Sequence, residues 1–258
     1  MNRRNFLWFT AAGAATALSA RWKLPLLTGE RRIEALAFDA FPIFDPRPVV
    51  ALAERLFPGQ GAVLGEAWRK RQFEYQWLRA LSSRYASFWQ ATEDSLEFAA
   101  EQLQLELTPE KRTRLMNAYL ELQAWPDAAG ALRALQERGM RLAILSNATP
   151  SILAAGVARS GLGDLFEHVL STDAIRTFKP DPRAYRLAAE AFHLPPPAIL
   201  YVAFAGWDVA GAKWFGFPTY WVNRANFPPE RLGVQPDGSG RDLADLVAFV
   251  RARGAGAR

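Results

Sequence analysis

Cysteine is absent from the 258 residues, and histidine occurs only twice. The first absence excludes disulfide scaffolds, thiolate metal sites and cysteine nucleophiles. Two histidines argue against a His-based zinc site and against Ser–His catalysis. The chain also lacks a Lys/Arg run of the length a nucleic-acid footprint needs: 31 basic residues face 26 acidic ones, and the net charge of +5 is spread along the sequence. That pattern is unfit for a nucleic-acid footprint, so no nucleic acid is expected as a partner. Carboxylate, Lys and Arg groups remain for chemistry. Half the residues are hydrophobic and 22% are charged, an ordinary globular balance. Nine Trp, 17 Phe and 6 Tyr supply large apolar surface for a core or a pocket lining. The length fits one large domain, or a core interrupted by one sizeable insertion.

The N-terminus reads Met1-Asn2-Arg3-Arg4-Asn5-Phe6-Leu7, followed by an uncharged stretch that closes in Ala17-Leu18-Ser19-Ala20. Paired Arg, a modest apolar segment and a small-residue exit form a secretory pattern. The arrangement Arg-Arg-x-Phe-Leu resembles the twin-arginine export signal of bacteria. Residues 1–20 are therefore expected to engage the twin-arginine translocation machinery and to place the protein in the periplasm, tethered to the membrane if uncleaved. About 16 uncharged residues are short for a bilayer span, which needs about 20.

Ile33 to Phe38 is a short apolar run that ends at Asp39, a candidate buried strand. Pro42, Pro46 and Pro48 are expected to prevent regular structure until about Val49. From there to Ala124 the pattern is helical: one helix around Trp68–Arg79, a second opening at Thr92, a third at Thr108-Pro109. After Trp125-Pro126-Asp127 strands and helices alternate, with strands at 142–145, 168–170, 199–202 and 219–222 and a last helix near 240–252. Such alternation implies an α/β fold, a Rossmann-like parallel sheet with helices on both faces. Residues 31–48 and 125–252 would form this core, and residues 49–124 a helical cap inserted after strand one.

Open parallel sheets bind ligands at the carboxyl ends of their strands. Those ends carry Asp39, Ser146-Asn147, Lys179 and Asp208. A strand-end Asp beside a Lys suits a covalent nucleophile, because the positive charge keeps the carboxylate ionised. Taken singly, each has a plainer reading: Asp39 as a loop residue, Ser146-Asn147 as a helix N-terminus, Lys179 as a solvated turn residue, Asp208 as an N-cap.

In series, Ala37-Phe38-Asp39, Ile144-Leu145-Ser146-Asn147, Phe178-Lys179-Pro180-Asp181 and Gly206-Trp207-Asp208 resemble the four motifs of the haloacid dehalogenase superfamily. The segments 68–79, Arg84–Phe88 and Gly211–Pro218 are similar to its type II branch, the (S)-2-haloacid dehalogenases. The resemblance implies that Asp39 attacks the halogen-bearing carbon of a 2-haloalkanoate with inversion, and that water then hydrolyses the aspartyl ester to a 2-hydroxy acid. No metal and no cofactor take part. Arg69 would accept the halide ion, with Asn147, Phe88 and Trp207 completing a dry aromatic cradle. Ser146 would hold the substrate carboxylate, Lys179 neutralise Asp39, Tyr185 support the site, and Asp208 pair with Lys179 and orient water. Phe41, Phe73 and Trp207 would form the apolar wall, and a homodimer is expected.

Two loops depart from the family pattern. The first motif of the family runs Asp-x-Tyr-Gly-Thr, whereas this chain has Asp39-Ala40-Phe41-Pro42-Ile43, without the Thr and with one fewer backbone N–H. Near the fourth motif the family shows a water-binding Ser and Asn; here the stretch is Ala203-Phe204-Ala205-Gly206-Trp207-Asp208. Losing such groups costs on the order of 10²–10³ each in the hydrolytic step, by analogy with oxyanion-site deletions. Alkylation is thus better supported than ester hydrolysis, and a degenerate or substrate-shifted protein is the alternative. A Mg-dependent phosphatase would need a second Asp where Phe41 stands, and another acid where Ala203 and Ala205 stand.

Overall fold

A computed structural model of the chain describes residues 32–255. The expected export segment, residues 1–20, lies outside them, as does residue 31 at the start of the expected core.

Six parallel strands form the sheet: β1 (Ala35–Phe38), β2 (Arg141–Ser146), β3 (His168–Ser171), β4 (Ile199–Ala203), β5 (Thr219–Val222) and β6 (Gly238–Gly240), in the order β3-β2-β1-β4-β5-β6. The α/β fold read from the sequence is present, with β1 at the centre. Phe38 pairs with Ile144 on one side and Val202 on the other, so Asp39, just beyond β1, stands level with the carboxyl ends of both neighbours.

Strand alternation explains the two faces. Leu36, Phe38, Leu200 and Val202 point into a cluster with Leu132, Leu153 and Leu246, carried by α5 (Ala128–Gln136), α6 (Pro150–Arg159) and α9 (Leu243–Ala255). Ala35, Ala37, Tyr201 and Ala203 point the other way, against Ala188, Phe192 and Val209 of α7 (Pro182–Phe192) and α8 (Gly206–Phe215). Both faces are covered, which is why the strands read as continuous apolar runs.

Between β1 and α5 the chain forms α1 (Arg47–Leu56), α2 (Gly61–Leu81), α3 (Phe88–Gln102) and α4 (Pro109–Asn117). The buried stripe of α2 is Gly61, Leu64, Trp68, Gln72 and Gln76, spaced by three or four residues as one helix face requires. Two side-chain N–H groups of that stripe bond across to one residue. Gln72 Nε2 donates to Thr92 Oγ1 at 2.6 Å, and Trp68 Nε1 to the Thr92 carbonyl at 2.8 Å, joining α2 to α3.

Two helix starts and one strand stand out as different from the sequence expectation. Helix α1 begins at Arg47 rather than Val49, because Pro48 sits in its first turn, where its missing N–H has no helical acceptor anyway. Helix α3 begins at Phe88, capped by Ser87, whose side chain accepts the Gln90 N–H. Thr92 lies inside it and returns its hydroxyl to the Phe88 carbonyl at 2.6 Å. The sixth strand, Gly238-Ser239-Gly240, went unforeseen; two glycines give no side-chain pattern to read.

Candidate active site

The carboxyl edge of the sheet brings the strand-end residues together around one ammonium. Lys179 Nζ lies 2.7 Å from Asp39 Oδ1, 2.8 Å from Asp208 Oδ2, 2.7 Å from the Tyr201 hydroxyl and 3.3 Å from the Leu145 carbonyl. It is 1% exposed, so the solvated-turn reading of Lys179 is overturned. Burial opposes the charge on Lys179, but Asp208 and Asp39 outweigh it and hold the ammonium above its ordinary value. Burial likewise pushes Asp208 up; Lys179 pulls it back, Asp39 adds like charge, and the net direction is upward.

Asp208 is not an N-cap. It lies within the first turn of α8, after the N-cap Ala205, and its carboxylate turns inward. Oδ1 accepts the Tyr185 hydroxyl at 2.8 Å, and Oδ2 accepts the Tyr201 hydroxyl at 2.9 Å. Both phenols are held well above their ordinary value, by burial first and then by Asp208, so they remain donors. Gly211 makes this approach possible: a Cβ there would lie 2.2 Å from the Tyr185 hydroxyl oxygen.

Ser146 ends β2 and Asn147 follows it, both ahead of α6, whose N-cap is Thr149, so neither caps that helix. Ser146 Oγ accepts the Ala148 N–H at 3.2 Å. Asn147 Oδ1 accepts the Lys179 backbone N–H at 2.9 Å, and its Nδ2 donates to Gln76 Oε1 at 3.0 Å. The carbonyl of Lys179 in turn accepts the Trp77 indole N–H at 3.2 Å. The motif residues are thereby tied to α2.

A cavity of about 580 Å³ opens in front of this edge. Asp39, Ser146, Asn147, Lys179 and Asp208 line it from the sheet; Trp68, Arg69, Gln72, Phe73, Gln76, Phe88 and Tyr119 line it from the helical segment and its end. Phe73 and Trp207 meet edge to face at 5.3 Å, Trp77 stacks on Phe73 at 5.7 Å, and Phe41 faces Phe204 at 6.0 Å. Burial pushes the Tyr119 phenol up to about 12, which keeps it a neutral hydroxyl. Tyr185 does not line the cavity and reaches it only through Asp208.

Arg69 departs from expectation. Its guanidinium is exposed at the cavity wall, 5.8 Å from the Phe73 ring centre, rather than enclosed in a dry cradle. The long stem of Arg69 passes the Phe73 ring and lets the charged head stay in water.

The altered loop after Asp39 is held by its carbonyls. Trp125 Nε1 donates to the Phe41 carbonyl at 3.0 Å, and Arg224 Nη2 to the Pro42 carbonyl at 3.0 Å and Asp127 Oδ2 at 2.8 Å. The Phe41 N–H still reaches Asp39 Oδ2, at 3.3 Å.

Sequence reasoning missed Tyr201, Gln76, Trp77 and Arg224. The only signal for Tyr201 was one hydroxyl in the otherwise aliphatic run Ile199–Ala203; for Gln76, an amide four residues after Gln72 on an apolar helix stripe.

An aspartate just past the central strand β1, a buried lysine between two aspartates and helices inserted after the first strand define a class of α/β hydrolase. The chain belongs to the haloacid dehalogenase-like hydrolases, whose family model matches residues 22–216. It is 44% identical over 216 residues to the (S)-2-haloacid dehalogenase of Pseudomonas sp. (strain YL), covering 83% of this chain and 93% of that relative. The crystal structure of the L-2-haloacid dehalogenase RSc1362 superposes with a TM-score of 0.84 at 44% identity, covering 86% of this chain and 100% of that one. The L-2-haloacid dehalogenase from Xanthobacter autotrophicus, solved with chloropropionic acid covalently bound, gives a TM-score of 0.78 at 37% identity, over 85% of this chain and 98% of that one.

Proposed function

We propose that the chain converts (S)-2-haloalkanoic acids to 2-hydroxy acids through an ester on Asp39. The observation that carries this reading is the Lys179 ammonium held between the Asp39 and Asp208 carboxylates at 2.7 and 2.8 Å, at the base of an aromatic cavity. Oδ1 of Asp39 is engaged by Lys179, whereas Oδ2 accepts one long backbone N–H. Oδ2 is the freer oxygen and attacks C2 of the substrate from the side opposite the halogen. A C–O bond forms, the C–X bond breaks, and the halide leaves with its electron pair toward Arg69 and Asn147. Oδ1 then becomes the ester carbonyl oxygen, polarised by the same ammonium. Water, deprotonated by Asp208, adds at the carboxyl carbon; the ester C–O bond breaks, and the departing alkoxide takes up a proton as the 2-hydroxy acid. Ser146 binds the substrate carboxylate, Phe88, Phe41, Phe73 and Trp207 exclude water, and residues 49–124 act as the cap over the site.

A second reading has its own support. Phe204 and Ala205 line the cavity beside Asp208 and carry no side-chain hydrogen-bonding group. Water is then poorly held, and the ester outlives the alkylation step.

Halide release from both enantiomers of 2-chloropropionate, with EDTA present, tests both readings. Multiple turnovers on the (S) acid, lost in Asp39→Asn, are expected. One equivalent of halide with a mass increment on Asp39 supports the second reading; no release from either enantiomer refutes both.

We further propose that residues 1–20 direct twin-arginine export to the periplasm and that the protein is a homodimer. The family match beginning at residue 22, just past Ala20, supports the first proposal. Among the described residues no helix is long and apolar enough to cross a membrane. Arg3→Lys with Arg4→Lys is expected to retain the protein in the cytoplasm on fractionation, and sedimentation tests the dimer.

A further inference from the structure

We propose that Gln76 is a substrate-binding residue, whose side-chain Nε2 donates to an anionic acceptor in the cavity: the substrate carboxylate or the departing halide. The inference rests on the dehalogenase reading and adds a donor to it. Gln76 is 0% exposed, lines the cavity, and its Nε2 has no partner within the protein.

The amide orientation follows from a chain of obligatory bonds. The Lys179 backbone N–H is a donor only, so the Asn147 atom 2.9 Å away is its oxygen, which the Thr172 hydroxyl also approaches at 3.4 Å. Asn147 Nδ2 is then the group facing Gln76, and the Gln76 atom 3.0 Å from it must be the acceptor Oε1. Nε2 is left over, with two N–H bonds and no acceptor. Buried donors without partners are rare and costly, so one retained on the wall of a cavity points to a ligand acceptor. The acceptor should be anionic. Arg69 lies on the same cavity wall, two turns earlier on α2, and has no carboxylate partner among the described residues. Ser146 also lines the cavity, from the end of β2.

Gln76→Glu is the informative variant, because a carboxyl keeps an oxygen for Asn147 Nδ2 while removing the two N–H donors. Gln76→Met removes both and guards against a folding defect peculiar to the first. Binding of sodium bromide and of sodium propionate is followed by tryptophan fluorescence, since Trp77 and Trp207 stand near Lys179 and the cavity. KM and kcat for (S)-2-chloropropionate are measured alongside.

At pH 8 both variants are expected to weaken one anion by about 10–100-fold, the range of a charge-assisted hydrogen bond. Loss of propionate binding with a matching rise in KM and little change in kcat identifies the carboxylate as the acceptor. Loss of bromide binding with a fall in kcat identifies the halide. In Gln76→Glu alone, affinity should recover as pH falls and the introduced carboxyl, whose protonation burial favours, takes up a proton and becomes a donor again. A merely structural amide would show no such recovery. Both anions bound by the variants within twofold of the wild type overturn the inference while leaving the dehalogenase reading intact. A wild type that binds neither anion and releases no halide overturns the reading and the inference with it.

Discussion

Replacing Tyr201 with Phe removes one oxygen from the most densely bonded point of the protein. That hydroxyl accepts from Lys179 Nζ at 2.7 Å and donates to Asp208 Oδ2 at 2.9 Å, in a fully buried position. After the substitution no group is orphaned. The three ammonium protons still face Asp39, Asp208 and the Leu145 carbonyl, and Asp208 still accepts from Lys179 and Tyr185. The cost is therefore that of one hydrogen bond to a charged group without a desolvation penalty for a stranded partner, about 1.5 kcal/mol at the low end of its range. For a domain of this size that lowers Tm by about 3–6 °C. The catalytic signature is more specific. Asp208 loses a donor that favours its ionised form, so its pKa moves further up and the acid limb of ester hydrolysis moves to higher pH. At a pH on that limb hydrolysis should fall, while the single-turnover rate of halide release changes little. Pre-steady-state halide release and steady-state turnover, each across pH, separate the two steps. An unchanged acid limb, with turnover equal to wild type, refutes the idea that the phenol holds Asp208 in its working state.

Asp208→Asn is expected to leave one equivalent of halide released per chain and an ester on Asp39, seen by intact mass; continued turnover refutes Asp208 as the base. Wild-type turnover should fall as pH drops through the raised Asp208 pKa, and hold on the alkaline side to about pH 10, because Lys179 is held above its ordinary value near 10.4. The stability that Lys179 gains from its two carboxylates is present below that ordinary value and is lost only as pH rises through the folded-state one, which alkaline unfolding measures. Arg224→Ala leaves the Pro42 carbonyl without its donor and half-buried Asp127 with the Leu243 N–H alone, and should lower the urea-derived stability by about 1–3 kcal/mol with a raised KM. Gly211→Ala places a methyl where the Tyr185 hydroxyl lies, and is expected to displace that phenol from Asp208 and raise the acid limb as Tyr201→Phe does.

Strands β1 to β5 were legible because each is a short apolar run closed by a polar residue or a turn, and in β1, β2, β4 and β5 burial on both faces leaves little else in the pattern. The strand-end groups Asp39, Ser146, Asn147, Lys179 and Asp208 were legible for the same reason: each breaks a run at the edge where such sheets bind ligands. Beta-strand β6 was not, since Gly238 and Gly240 have no side chains to alternate. Nor was the start of α3, because Thr92 offers a cap-like hydroxyl that the helix turns back onto Phe88. Gln76 and Tyr201 escaped for a tertiary reason. A glutamine on a helix stripe and a tyrosine in a strand are unremarkable until the helix is laid against Asn147 and the strand beside Lys179. Arg69 shows the converse, a residue whose place in the motif was clear but whose exposure was not.

The two altered loops have different standing once their bonds are followed. Around Asp39 the missing Thr and the introduced Pro42 are matched by Trp125 and Arg224, which capture the carbonyls of Phe41 and Pro42 and keep the nucleophile in register. Around Asp208 the replacement is partial. Tyr201 supplies a hydroxyl to the Lys179–Asp208 pair from inside β4, but it is absent from the cavity wall and both its bonds are spent on that pair. The Phe204 carbonyl is engaged as well, by the Trp221 indole N–H at 3.1 Å. Of the side chains between Ala203 and Asp208, the one left to bond a water in the cavity is Asp208 itself. A carboxylate offers about four acceptor sites, and three are taken here by Lys179, Tyr185 and Tyr201. On the proposed mechanism the side-chain hold on the hydrolytic water thus comes down to one remaining lone pair of Asp208, which makes the second half-reaction the one that the donors around Asp208 control.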